Sequence, residues 1–176
     1  KDKSIDANYY QVHLPVLEQE TAEGHAVRAM YFYTGMADVA KETGNKDLVN
    51  TLHKLWKNVT QKRMYITGGV GSQGDGERFS IDYDLPNDTC YTETCAAIGL
   101  AMWSLRMLAL EPKREYADIM ERALYNNVLS VPMLAEVTDP KVAYTFHSYE
   151  PLIFTHQGAY WVKGMPSDFR ISYPNT

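Results

Sequence analysis

What most constrains this sequence is a rhythm. Apolar residues recur every three to four positions in four successive segments, and the segments pair off across very short connections. In the first, Ala22, Ala26, Ala29, Met30, Tyr33, Ala37 and Ala40 form one stripe, and Gly44 is placed to end it. Leu48, Leu52, Leu55, Trp56 and Val59 form the second stripe. The third runs from about Thr92 to Leu110 through Ile98, Ala101, Met102, Leu105, Leu108 and Ala109, and Pro112 stops it. The fourth follows at once with Tyr116, Ile119, Met120, Ala123, Leu124 and Val128. Connections as short as Gly44 to Lys46 and Glu111 to Lys113 leave room only for antiparallel helical hairpins, over about 20–61 and 92–130.

A plain helical bundle would show the same hairpins. It would not need the long loop of residues 63–88 between them, which reads as a short strand followed by irregular chain. Consecutive hairpins linked by such a loop suit a helical toroid, so the expected class is mainly α, part of an α/α six-hairpin barrel. Six hairpins close such a ring. The 176 residues hold two, plus a segment over 132–176 where Val142, Tyr144 and Phe146, and then Tyr160 and Val162, alternate between prolines, Gly158 and Gly164. That segment reads as short and β-rich. The whole of 1–176 is therefore expected to be one partial barrel domain, either a piece of a larger architecture or one that self-association or a partner would complete.

The formal charge of −5, with no cluster of Lys or Arg, argues against nucleic acid or an acidic membrane surface as partner. No apolar run approaches the ~20 residues that cross a bilayer. The first residues, KDKSIDANYY, lack the apolar stretch of a signal peptide, so the cytoplasm is the expected location. Two cysteines, Cys90 and Cys95, are too few for a disulfide framework and read as free thiols. The Asn-x-Thr triplets at Asn58 and Asn87 are read as chance.

The stretch Tyr65–Leu100 stands apart, because its glycines and carboxylates contribute little to a core. Glu77, after GGVGSQGDG, sits on a loop that can aim a carboxyl into a cleft for general acid work; the bland alternative is a solvated glutamate. The glycines lack the Gly-Lys-Ser/Thr ending of a phosphate loop. Glu93 and Cys95 fall at an expected helix N-terminus, where the dipole favours thiolate, so the pair can supply half of a zinc site; alternatively they are a dipole-complementing acid and a buried cysteine. Asp82, Asp84 and Asp88 lack the spacing of a calcium loop. His25 lies early in the first helix, where a lone histidine is most often structural. His13, His53, His147 and His156 show no metal-ligand spacing.

Three stretches, LEQETAEGHAVRAMYFYTGMADVA, YITGGVGSQGDGERFSIDYDLPNDTCYTETCAAIGLAMW and ERALYNNVLS, carry a resemblance over roughly residues 10–130. They resemble the catalytic domain of bacterial β-L-arabinofuranosidases, glycoside hydrolase family 127. The resemblance implies an α/α six-hairpin barrel and a retaining glycosidase whose nucleophile is a thiolate held on zinc. It matches Glu77 to the general acid/base, Glu93 and Cys95 to two zinc ligands, and His25 to a substrate-contacting histidine. An arabinofuranoside is the implied substrate and partner. The family completes its site with a consecutive cysteine pair before Pro-Asn, one of the pair being the nucleophile. Here the nearest counterpart is Ser172-Tyr173-Pro174-Asn175, with no third cysteine. Serine replaces neither a zinc-bound thiolate nor its nucleophilicity, so this chain alone is expected to show little or no turnover. The alternatives are a non-catalytic carbohydrate-binding protein on the same scaffold and, last, an α/α-barrel epimerase, which would need paired histidines.

Overall fold

The structure, a computed structural model, describes residues 6–129, all within one compact unit. The expected β-rich segment over 132–176, with Ser172-Tyr173-Pro174-Asn175, lies outside the described residues. Four helices carry the fold: α1, Ala26–Thr43; α2, Lys46–Lys62; α3, Thr94–Leu110; and α4, Arg114–Leu124, which continues into a π-helical turn, Tyr125–Leu129. These are the two hairpins expected from the periodicity.

Local chemistry sets their ends. Gly44 closes α1 in the left-handed region (φ 65°) and its N–H donates to Ala40 O. Asn45 then opens α2, its side chain accepting from the N–H groups of Asp47 and Leu48 at 3.0 and 3.1 Å. The apolar stripe of the first helix includes Ala22, but α1 starts four residues later, at Ala26. Gly24 breaks the segment at φ 71°, and a side chain there would meet Asn8 O at 2.2 Å. His25 is therefore the N-cap of α1 rather than a residue within it.

The most extensive helix contact is α1 against α3, between the hairpins. Small residues permit it: Ala26, Ala29 and Ala37 on α1 share one core with Ala96 and Ala101 on α3, and Gly99 lies against Met30. A Cβ on Gly99 would lie 2.7 Å from Met30 Cβ, so the two backbones approach as closely as glycine allows. A chain of aromatic contacts then ties all four helices. Tyr33 (α1) meets Trp103 (α3) at 5.0 Å between ring centroids, Trp103 meets Trp56 (α2) at 5.0 Å, and Trp56 meets Tyr116 (α4) at 4.8 Å. At the turn end of the hairpins, His53 Nε2 and Glu111 Oε2 are 3.0 Å apart.

The loop between α2 and α3 forms no continuous strand among the described residues, against the short strand expected there. It is held by isolated bridges, Met64 with Val70 and Gln73 with Arg78, and by one to the chain before α1, His25 with Arg78. Nor does its glycine run stand outside the core. Gly68, Gly69, Val70, Gly71 and Ser72 are buried. Added Cβ atoms on Gly68, Gly69 and Gly71 would press on Arg122, Thr92 and Ala26 respectively. These glycines are packing residues that let the loop lie flat against α1 and α4.

Candidate active site

Two features of the backbone bring Glu77 to His25. Residues 73–78 form a tight closed loop: Gln73 N–H donates to Arg78 O and Arg78 N–H returns to Gln73 O, both at 3.1 Å. Within it Gly76 (φ 68°) and Glu77 (φ 52°) both occupy the left-handed region. Glycine does so freely, whereas a glutamate there is strained and stays only because its surroundings hold it. Phe79 N–H then donates to Gly24 O at 2.9 Å, docking the loop onto the residue before the α1 cap.

The result is a wired carboxyl. Glu77 Oε2 lies 3.1 Å from His25 Nε2, and Glu77 Oε1 accepts from the Tyr91 hydroxyl at 2.9 Å. His25 Nδ1 accepts from Arg28 N–H at 3.2 Å, the capping bond of α1. Tyr9 packs edge-on against the His25 ring at 5.7 Å, and the guanidinium groups of Arg28 and Arg78 each lie 5.0 Å from the Tyr9 ring centre. Below them Gln11 Nε2 bonds the carbonyls of Glu23 and His25 at 2.8 and 3.3 Å, fixing the entry to α1.

Glu93 enters from α3. It occupies the N-cap position of that helix and is only 7 % exposed, while Cys95, one residue inside, is 8 % exposed. Thr92, just before, takes φ 38° with its N–H bonded to Gly71 O at 2.9 Å. One donor atom each from His25, Glu77 and Glu93 lies within 4.8 Å of the others. Because His25 and Glu93 cap α1 and α3, the two helices run side by side in the same direction, with both N-termini at this cluster. Their dipoles offset the crowding of two carboxylates there. Burial, above all, pushes the Tyr91 phenol above its ordinary range, followed by its bond to Glu77 and the charges of Glu93, Glu77 and Cys95. Tyr91 thus feels Glu77, Glu93 and Cys95 together.

His25, Glu77 and Glu93 are close enough to share one metal ion, yet the wiring limits that use. Both His25 nitrogens have partners, so it could ligate only by releasing either Glu77 or the cap of α1. Cys95, two residues after Glu93 in the chain, is a soft donor that this group does not include. Two donors do not complete a tetrahedral zinc site, which takes three or four protein ligands. The described residues therefore fit half of one.

Neither cysteine is in a disulfide: Cys95 is buried, and Cys90 is exposed, its Sγ 3.1 Å from Thr92 Oγ1. Asp82 serves the framework, accepting from Asn58, Lys62 and Arg63. Asn58, the first Asn-x-Thr residue, is buried. Tyr91, the direct partner of Glu77, was not singled out. Its one sequence signal is position, since Tyr91, Glu93 and Cys95 alternate in YTETC. No described helix is long and apolar enough to cross a membrane.

Comparison with known proteins identifies the family. The sequence pattern of the β-L-arabinofuranosidase GH127 catalytic domain matches residues 4–151. The chain is 49 % identical over 122 residues to the non-reducing end β-L-arabinofuranosidase of Bifidobacterium longum subsp. longum, covering 69 % of this chain and 18 % of that enzyme. A cellodextrinase A of Ruminococcus flavefaciens is 24 % identical over 133 residues, 75 % of this chain and 36 % of its own length. Among solved structures, a GH127 β-L-arabinofuranosidase from Geobacillus stearothermophilus T6 superposes with a TM-score of 0.69 at 57 % identity, over 70 % of this chain and 19 % of that one. A second GH127 β-arabinofuranosidase gives 0.68 at 48 % identity, again over 70 % and 19 %. The chain thus spans about a fifth of the length of these arabinofuranosidases.

Proposed function

Because the chain belongs to the glycoside hydrolase family 127 β-L-arabinofuranosidase catalytic domains, we propose that residues 6–129 form the acid/base half of a site that hydrolyses β-L-arabinofuranosides. The observation that carries the reading is the Glu77 carboxyl, held in strained backbone between His25 and Tyr91 and facing Glu93. In this reading Glu77 gives its proton to the departing glycosidic oxygen as the bond to the anomeric carbon breaks. It then takes a proton from the water that releases the sugar. His25, the sugar contact by resemblance, reaches the substrate beside the carboxyl it already bonds. Burial of Glu93 and Cys95 keeps water from that side.

Glu93 and Cys95 would hold a zinc ion together with donors from beyond residues 6–129. When bound, such an ion supplies Lewis acidity and lowers the pKa of coordinated thiols. The four helices are taken as two hairpins of a six-hairpin ring. Neither Cys90 nor Cys95 stands where the family places its nucleophile, so the chain by itself turns over little or no substrate.

The test is hydrolysis of a chromogenic β-L-arabinofuranoside by the chain and by Glu77→Gln, with binding of an arabinofuranoside measured by calorimetry on both. Binding is expected in both proteins. Any slow hydrolysis should fall a further ~10²–10⁴-fold in the variant, the usual contribution of a positioned acid/base. Robust and equal hydrolysis by both would remove Glu77 from its role. Binding of cellodextrins in preference to arabinofuranosides would overturn the substrate class.

A further inference from the structure

We propose that Tyr91 is the positioning residue for the Glu77 acid, and that the cap of α1, acting through His25, confines the acidic proton of Glu77 to Oε1, the oxygen Tyr91 touches. The inference deepens the acid/base reading of Glu77 and rests on it.

The argument starts at a helix end. The first-turn N–H groups of an α-helix lack intrahelical acceptors, and that of Arg28 takes His25 Nδ1 at 3.2 Å. A nitrogen that accepts carries no hydrogen, so the ring hydrogen sits on Nε2. Nε2–H therefore donates to Glu77 Oε2, 3.1 Å away. When Glu77 is an acid, one of its oxygens is a hydroxyl and the other a carbonyl, and the carbonyl is the better acceptor for an N–H. With Oε2 facing a fixed donor, the hydroxyl is Oε1.

Tyr91 stands 2.9 Å from that oxygen. A phenol hydroxyl both donates and accepts, so Tyr91 suits either state. It donates to the Glu77 carboxylate and, after its O–H rotates, accepts from the Glu77 acid. His25 cannot change sense without losing the α1 cap. The two partners divide the work: His25 holds one oxygen constant, and Tyr91 follows the other through gain and loss of the proton. The site has this asymmetry before any substrate arrives.

Two spectroscopic measurements on the intact chain test this, and neither depends on turnover. In ¹⁵N-histidine spectra at neutral pH, the resonances lost in His25→Gln should show the Nε2–H tautomer. The opposite tautomer would overturn the proton assignment. With glutamate labelled at ¹³Cδ, the resonance lost in Glu77→Gln should move in Tyr91→Phe while the His25 tautomer stays unchanged. An unmoved resonance in a Tyr91→Phe protein of native helicity would overturn the role of Tyr91. Should that variant not fold, the unaltered protein supplies the answer. Deuteration of exchangeable hydrogens should give the Glu77 Cδ signal an isotope shift that exchanges at the rate of the Tyr91 hydroxyl, and its absence would overturn the inference. Robust and equal hydrolysis by the chain and by Glu77→Gln, with both spectroscopic results intact, would sink the acid/base reading alone.

Discussion

Asp82 shows how a carboxylate in this loop can belong to the framework. It accepts from Asn58 Nδ2 at 2.9 Å, Lys62 Nζ at 2.8 Å and Arg63 Nε at 2.8 Å, pinning the loop to the end of α2. The Lys62 hydrogen bond leads in holding its pKa well below the ordinary 3.8. Partial burial opposes it, and the Arg63 and Asn58 bonds add to it. A lowered folded pKa means the contribution is complete above pH ~4 and is lost as pH falls towards the folded value. Asp82→Asn should therefore lower stability by about 1–2 kcal/mol at neutral pH, discounted for partial exposure. It should also flatten the acid limb of the melting-temperature profile below pH 4, and an unchanged acid limb would contradict the assignment. In sequence, Asp82 and Glu77 look alike, two acids in one loop. What separates them is the company each keeps after folding: cations around Asp82, an imidazole and a phenol on Glu77. Glu77, Glu93, Cys95 and His25 were legible as candidates because motif order carried them. Tyr91 was not, because a tyrosine before a helix is ordinary until its hydroxyl is seen on Glu77.

The helices were legible because their periodicity is long and their connections short, which leaves few ways to fold. Their exact starts were less so. The alanine stripe continues upstream into Ala22, and only the approach of Gly24 to Asn8 and Tyr9 explains why α1 begins at Ala26. The glycine loop misleads for a related reason: a glycine that permits tight packing and one that frees a loop are the same letter. Gly99 makes this testable. In an ordinary helix interior Gly→Ala stabilises by about 1 kcal/mol. Here the new methyl would meet Met30 Cβ at 2.7 Å, an atom fixed to the α1 backbone with no rotamer to move it aside. Gly99→Ala should instead destabilise by about 1–3 kcal/mol, the usual range for overpacking, as read by chemical denaturation. A gain in stability would show that α1 and α3 are not in close contact.

The described residues bring together an acid, its partners and Glu93, two residues before the Cys95 thiol, in a chain about a fifth as long as the arabinofuranosidases it matches. Two donors bind zinc weakly, so elemental analysis of the purified chain should find it well below one ion per chain. Cys95→Ser should remove what remains. Stoichiometric zinc would mean that residues outside 6–129, or a second copy, complete the set. The parallel course of α1 and α3 has a practical corollary. Since both helices start at the cluster, the Gly44–Asn45 turn lies a full α1 away, ~27 Å along an 18-residue helix. A fluorophore or a short peptide grafted into that turn could report on ligand capture without perturbing the wiring around Glu77.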